Sequence, residues 1–252
     1  MLTVTPEMER YYASWRGSNQ DFLMAPVPLD DGIHTISKVP AIWGIPDEEE
    51  IRRAEMPSAM LAWTGGATSV MRFLDGFVVL FQGVHDQWDR ERLRPLEALV
   101  MALRPPAPVA TQDAALVEQG RALFTDAGCA GCHDGPRGSG RRLFEYDELG
   151  TDTAMRAWMD PDGDGQPCCG IGMEGLDPLT GRLKSPRLAG LHASRVFLHN
   201  GSVESLEDLF CVGGHERPTV TELAYGDGGH RFTCDGLSDD DKRALIAFLR
   251  SI

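Results

Sequence analysis

The stretch Cys129-Ala130-Gly131-Cys132-His133 is the part of the sequence that most constrains the fold. Two thiols separated by two residues can reach both vinyl groups of a haem from one tight turn, and the histidine that follows then lies beneath the iron. The motif therefore predicts one covalently attached haem c, bound through Cys129 and Cys132, with His133 as the proximal ligand. A structural zinc site would need further ligands, and the chain has no second CxxC.

The sequence on either side of this motif predicts an all-α, cytochrome c-like domain with long irregular loops. Asp113 can cap a helix that runs to about Phe124, with Gly120 one turn before its end. Ser238 begins a second capping signal, and an apolar stripe follows it. In the cytochrome c fold the first and last helices cross closely, and glycine permits that approach. The stripe consists of Leu245, Phe248, Leu249 and Ile252.

Three short matches indicate an internal repeat. Lys38-Val-Pro-Ala-Ile-Trp-Gly44 resembles Lys184-Ser-Pro-Arg-Leu-Ala-Gly190, and residues 97–104 resemble 243–250, both at an offset of 146. Between them, residues 63–70 resemble 199–206 at a shorter offset, because the connecting sequence differs in length.

This order predicts three parts of the chain. Residues 1–104 are expected to be the tail of a first cytochrome c-like domain that lacks its own CxxCH. Residues 105–112, which are rich in proline, are expected to be a linker, and residues 113–252 a complete haem c-binding domain.

The sixth ligand of the iron has several candidates. Gly229-His230 lies shortly before the final helix, and His85 stands within one residue of the same place in the first repeat. We therefore expect His133 and His230 to bind one six-coordinate iron, which would transfer electrons rather than activate a substrate. An open sixth position is the other alternative. The remaining candidates are Met155, Met159, Met173, His192, His199 and His215.

A second metal site is a weaker expectation. Asp160, Asp162 and Asp164 match the opening of an EF-hand calcium loop, but Ile171 stands where that loop needs glutamate. The three carboxylates are either a Ca²⁺ site or an acidic turn exposed to solvent.

Composition restricts the partners. The net charge is −14 with no basic patch, which argues against nucleic acid, and no apolar run is long enough to span a membrane. Haem attachment to CxxCH takes place outside the cytoplasm, so we expect a periplasmic or otherwise extracytoplasmic protein. There Cys211 and Cys234 are the preferred disulfide pair, while Cys168 and Cys169 are unassigned. The first residues lack secretory signal features, which predicts a removed signal or a start within a longer protein.

Several segments resemble the second domain of di-haem cytochrome c peroxidases, a superfamily that includes MauG-type enzymes and rubber-oxygenase relatives. The resemblance covers about 113–252 well, and about 34–104 as the tail of the first domain. The segments are 120–124, 129–133, Ser185-Pro-Arg-Leu188, Phe197-Leu-His-Asn-Gly-Ser202, Ser205-Leu-Glu-Asp-Leu209 and 245–249.

The resemblance implies roles for individual residues. Typical members place a Met or Tyr ligand just after the Ser-Leu-Glu helix, where this chain has Gly213, which cannot bind iron. This departure favours the branch with a Gly-His-aromatic segment, as at His230. The resemblance also implies that His199 lies near the haem edge and that a peroxide-reactive haem belongs to the first domain.

Three functions follow as hypotheses. The chain is the electron-relaying part of a di-haem peroxidase-like oxidoreductase that receives electrons from a redox partner protein, with the first haem domain upstream. Alternatively it is a stand-alone mono-haem electron carrier, or a haem-based sensor with a labile sixth ligand. No catalytic acid or base is assigned.

Overall fold

The structure is a computed structural model that describes residues 38–80, 90–108, 110–153, 155–156, 181–217 and 226–252. Within these ranges the secondary structure is mostly helical, which confirms the predicted all-α, cytochrome c-like class. The helices are α1 (Glu48–Arg53), α2 (Val70–Leu80), α3 (Arg90–Ala102), α4 (Ala114–Asp126), α5 (Tyr146–Leu149), α6 (Leu206–Phe210), α7 (Phe232–Asp235) and α8 (Asp239–Ser251). Short 3-10 turns cover Cys129–Gly131, Pro136–Gly138 and Leu191–Ala193.

Helices α4 and α8 begin where their capping signals predicted and pack against each other. The Asp113 carboxylate accepts hydrogen bonds from two amides of the first turn of α4, and the Ser238 hydroxyl accepts one from the amide of Asp241 in α8. At the crossing, a Cβ on Gly120 would overlap the carbonyl group of Ala244. The close approach of the two helices therefore requires glycine at this position, as the sequence indicated.

The core of this half forms around α8. The rings of Phe124 and Phe248 meet edge to face, with their centres 5.4 Å apart. Apolar side chains of α6 and α8 join them in one cluster, which buries the stripe predicted for the final helix. Its buried members include Phe197, Val203, Leu206, Phe210, Leu245, Phe248 and Leu249.

One small sheet was not predicted. Strands β1 (Leu143–Phe144) and β2 (Leu183–Lys184) are two residues long and pair antiparallel, with Leu143 opposite Lys184. The pairing fixes Lys184 and the residues that follow it against the loop after the CxxCH motif.

The loops of the third repeat match share one backbone geometry. An isolated antiparallel bridge joins Leu61 to Ala67, and another joins Phe197 to Val203. Inside each loop a non-glycine residue and a glycine have positive φ at corresponding places: Ala62 and Gly65 in the first, Leu198 and Gly201 in the second. A serine then accepts an amide hydrogen bond at the start of the next helix, Ser69 before α2 and Ser205 before α6.

The two repeated stretches also contact each other in a reciprocal manner. The amide of Lys38 donates to the carbonyl of His199 at 2.7 Å, and the amide of Lys184 donates to the carbonyl of Trp63 at 2.8 Å. Lys38 corresponds to Lys184 in the repeat, and Trp63 corresponds to His199. Each stretch thus supplies to the other the same pair of backbone groups.

Arginine and tryptophan side chains extend this contact. The Arg187 guanidinium donates to the carbonyls of Trp43, at 3.0 Å, and Ala41. In return, Trp43 Nε1 donates to the carbonyl of Ala189 at 2.9 Å. The start of the predicted linker lies beside this contact, since a Cβ on Gly190 would lie 3.0 Å from Pro106. Residues 106–108, 110 and 111 are exposed.

The structure contains the predicted disulfide between Cys211 and Cys234, which joins the end of α6 to α7. Among the described residues, no helix is long and apolar enough to cross a membrane. Several predictions concern residues outside the described ranges: the calcium site at Asp160, Asp162 and Asp164, the ligand candidates Met159 and Met173, the repeat partner His85, and the pairing of Cys168 and Cys169.

Candidate functional site

A cavity of about 710 Å³ lies between the CxxCH turn and the loop that precedes α7. Cys129, Cys132 and His133 line one part of it, and His230 lines another. Residues 38–43, which belong to the first repeat, contribute to the wall as well. The volume is within the range of protein sites that enclose a cofactor or a small molecule.

His133 is held in the orientation of a metal ligand. Its Nδ1 lies 2.6 Å from the carbonyl oxygen of Gly138, so Nδ1 carries the proton and Nε2 is left for another bond. Burial is the main cause that lowers the pKa of His133 below its usual value. The ring is therefore neutral at pH 7, and the neutral imidazole is the form that binds metals.

His230 faces His133 across this cavity. The two ring centres are 6.4 Å apart. Two imidazoles bound on opposite sides of one metal ion, each at about 2 Å, place their ring centres about 6 Å apart. Burial, together with the neighbouring His133 and Arg217, lowers the pKa of His230 to about 4. Both rings are thus neutral and spaced to share one metal ion.

The loop around His230 is fixed by backbone hydrogen bonds. The carbonyl of His230 accepts from Thr233, at 2.6 Å from its hydroxyl and 3.1 Å from its amide. The buried Arg217 donates to the carbonyl of Gly229 at 2.5 Å. His230 has a positive φ of 54°, a conformation that needs such support in a non-glycine residue.

The other ligand candidates lie elsewhere. His215 is partly exposed and its Nδ1 contacts the Asp208 carboxylate at 2.6 Å. Met155 is buried in a separate cluster with Trp63 and Tyr146, and neither Met155, His192 nor His215 lines the cavity. Of the candidates in the described part of the chain, His199 and His230 line it.

His199 is buried beside the first repeat. Its ring meets Trp63 edge to face, with centres 6.4 Å apart, and its Nδ1 lies 3.3 Å from the hydroxyl of Thr151. Its Nε2 is buried without a hydrogen-bond partner among the described residues. Burial lowers its pKa to about 4, so the ring is neutral. This imidazole offers one unused polar atom to the cavity that it lines.

The two cysteines of the motif are free thiols and partly buried. Burial is the largest cause that raises the pKa of each above its usual value. Both side chains are therefore uncharged at neutral pH and form part of a mostly apolar wall.

Basic side chains at the cavity were missed by the sequence analysis. Four basic residues line the cavity, and Glu148 is the one acidic residue among its described lining. The four are Lys38, Lys184, Arg187 and Arg195. Burial lowers the pKa of Lys184 to about 7, that of Lys38 to about 8 and that of Arg187 to about 10. The repeated lysine, at positions 38 and 184, was the available signal.

A cluster of three or more His, Cys, Asp or Glu side chains that could hold a metal ion by themselves does not occur among the described residues.

Comparisons with known proteins give likenesses among solved structures but none among protein families or curated proteins. No protein-family model matches the chain, and no curated protein matches it. Among solved structures, the chain is similar to a MauG-like protein associated with microbial copper homeostasis, with 16% sequence identity and a TM-score of 0.49. The match covers 86% of this chain and 73% of the other.

Proposed function

We propose that this chain is a c-type cytochrome that carries one covalent haem. Cys129 and Cys132 would hold it by two thioether bonds, and His133 and His230 would bind its iron. The haem would supply one-electron transfer between its ferric and ferrous states. The observation that carries this proposal is the pair of neutral imidazoles, 6.4 Å apart, at a cavity lined by the two thiols of a CxxCH motif.

The residues of the chain favour electron transfer over reaction at the iron. If His133 and His230 both bind, no coordination position is left for peroxide or oxygen. The hydrogen bond from His133 to Gly138 holds the first ring in place, and Thr233 and Arg217 hold the loop of the second. A rigid ligand pair changes little between oxidation states, and this suits a relay.

The proposed setting is a di-haem peroxidase-like oxidoreductase. Residues 38–104 would be the tail of a first cytochrome c-like domain, supported by the loop geometry and reciprocal hydrogen bonds that they share with residues 184–252. Electrons would enter from a redox partner protein and pass through this haem to the haem of the first domain. An upstream reading frame with a second CxxCH would support this setting, and a stop codon there would leave a mono-haem carrier.

An extracytoplasmic location is part of the same proposal. Haem attachment to CxxCH and the disulfide between Cys211 and Cys234 both belong to compartments outside the reducing cytoplasm. The chain would be exported before both bonds form.

The test is expression of the full chain in a host that exports it and attaches haem c. We expect one haem per chain by the pyridine haemochrome assay and a low-spin, bis-imidazole electron paramagnetic resonance spectrum. His230→Ala should convert the ferric haem to high spin and let the ferrous haem bind carbon monoxide. The exposed His215 provides the matched control, because His215→Ala should leave both readouts unchanged.

The other outcomes decide between the alternatives. A wild-type chain that is high spin and binds carbon monoxide readily would overturn the relay and favour the sensor. A chain that matures without haem would overturn the proposal as a whole. A low-spin spectrum that survives His230→Ala would assign the sixth ligand to another residue.

A further inference from the structure

We propose that Lys184, Arg187 and His199 form the subsite that binds the carboxylates of the haem. This inference rests on the proposed haem function and assigns to the cofactor a second set of contacts, distinct from the thioether bonds and the iron ligands.

The first support is uncompensated buried charge. Lys184 and Arg187 are 5% and 8% exposed and both line the cavity. Neither side chain forms a salt bridge among the described residues. The charged group with the largest effect on the pKa is Arg187 for Lys184 and Arg137 for Arg187. Two buried cations without a carboxylate are costly unless an anion enters the same space.

The second support is the excess of positive charge among the residues that line the cavity. The chain has a net charge of −14, yet the described residues around this cavity include four basic side chains and one acidic one. The acidic one, Glu148, is already paired with Arg142 at 2.6 Å. A cavity that is cationic in an acidic protein is complementary to an anionic ligand.

The third support is His199. Its Nδ1 lies 3.3 Å from the Thr151 hydroxyl, and when that hydroxyl donates to Nδ1 the proton of the neutral ring is on Nε2. That Nε2 is buried and has no partner among the described residues. A buried N–H donor in a cavity that cations also line is suited to a carboxylate oxygen.

The haem has two carboxylates, and neither thioether formation nor axial ligation uses them. Arg187 is already oriented for this role, because the carbonyls of Ala41 and Trp43 hold part of its guanidinium. The remaining N–H groups of that guanidinium are available to bind an anion. Lys184 is placed by β2 and adds a second positive charge.

The chain provides a matched pair of lysines for the test. It contains three lysines, at positions 38, 184 and 242. Lys242 is as buried as Lys184, at 4% exposed, but its ammonium donates to the carbonyls of Cys211 and Cys234 and does not line the cavity. Lys184→Met removes the proposed partner of the haem carboxylates, while Lys242→Met removes an equally buried lysine that lies outside the cavity.

The experiment measures the reduction potential of the haem-loaded full chain between pH 5 and 8. Loss of a nearby positive charge stabilises the ferric state, so Lys184→Met should lower the ratio of reduced to oxidised haem about tenfold at a fixed potential. Its potential should also become pH-dependent, because an unpaired haem carboxylate takes up a proton within this range. Lys184→Arg should restore the wild-type potential, and Lys242→Met should leave it unchanged.

A measurement on the wild-type chain covers the case in which Lys184→Met does not fold. The haem carboxylates can be labelled with ¹³C through 5-aminolevulinic acid, and redox-induced infrared difference spectra then report their protonation. We expect ionised carboxylates from pH 5 to 8 and no labelled band of a protonated carboxyl group.

Two results would overturn the inference. One is a labelled protonated carboxyl band at pH 6 to 7, and the other is a potential that Lys184→Met and Lys242→Met leave equally unchanged. Both presuppose that haem is bound, so they differ from failure of the proposed function, in which the wild-type chain carries no haem.

Discussion

The two repeated stretches, residues 38–104 and 184–252, have a common backbone and different side chains at the positions where they meet. The shared elements are the bridged loop with its glycine of positive φ and the serine that caps the next helix. The differing positions make the contact: Trp63 opposes His199, and Arg187 reaches the carbonyl of Ala41, its own counterpart in the repeat.

Repeated positions and divergent positions determine different features of the structure. Positions that repeat determine the local backbone, because a positive φ or a helix cap imposes the same requirement in both stretches. Positions that diverge determine how one stretch packs on the other. Trp43 and Arg187 have no equivalents at positions 189 and 41, yet each binds backbone of the opposite stretch.

The largest effect is expected where α8 of the second stretch packs on α4, a helix that lies outside both stretches. Gly120→Ala places a Cβ against the Ala244 carbonyl and must push the helices apart. We expect a loss of about 3 kcal/mol in the free energy of unfolding. Urea denaturation followed by circular dichroism measures it.

The control for that variant is Gly181→Ala, since a Cβ on Gly181 has no atom within 4 Å. It should unfold within about 0.5 kcal/mol of the wild type. Equal stability of the two variants would mean that α4 and α8 do not cross at Gly120.

The disulfide is the next largest difference, because the first 104 residues contain no cysteine. Replacing both Cys211 and Cys234 by serine opens a loop with a sequence separation of 23. The expected loss is about 3 kcal/mol on a chain-entropy estimate. Urea denaturation with and without reductant checks it: reductant should destabilise the wild type and have no effect on the double variant. A wild-type chain whose stability is the same with and without reductant would contradict the disulfide.

Local signals in the sequence were enough to predict helices α4 and α8. Asp113 and Ser238 cap their helices as predicted because a cap depends on residues within one turn. Gly120 was informative because it lies in the helix before CxxCH, which in the cytochrome c fold crosses the last helix. The preference for Cys211 and Cys234 as a pair was also confirmed.

The parts that could not be predicted depend on contacts through space. Strands of two residues, as at β2, leave no alternating pattern to detect. The cationic wall combines Lys38 with Lys184 and Arg187, which are distant in sequence, and lysine is usually exposed. Sequence position favoured His230 over His215, but only the fold brings one of them opposite His133 and leaves the other outside the cavity.

A smaller effect is expected from the side chains that join the two stretches. Trp43→Phe removes the hydrogen bond to the carbonyl of Ala189, and Trp63→Phe removes an indole hydrogen bond to the carbonyl of Lys38 within the first stretch. Each should cost about 1 kcal/mol in denaturation. Hydrogen exchange separates them, because only Trp43→Phe should speed exchange of the Gly190 amide, which donates to Ile252 beside this contact. Equal exchange rates in the two variants would contradict a role for Trp43 in the contact.

The smallest expected effect comes from an ion pair between α1 and the loop after the CxxCH motif. Arg137, just after the CxxCH motif, contacts Glu50 of α1 at 2.8 Å, and this hydrogen bond is the main cause that lowers the pKa of Glu50. Stability from a carboxylate with a lowered pKa is present at neutral pH and is lost as the pH falls through that pKa. Glu50→Gln should therefore cost about 0.5 kcal/mol at pH 7, since both side chains are partly solvated, and nothing at pH 3.

The control for this pair lies on the same helix. Glu49 bonds to Arg53 within α1, where both side chains are more than half exposed, so Glu49→Gln changes a pair that does not connect the two parts of the chain. Glutamine at position 50 can still accept the Asp47 amide of the capping box, and the substitution thus isolates the charge. A double-mutant cycle with Arg137→Gln should return a coupling for Glu50 and none for Glu49. If both acids couple to Arg137 alike, the attraction is a general effect of the acidic helix, and the ion pair does not hold α1 to the loop after the CxxCH motif.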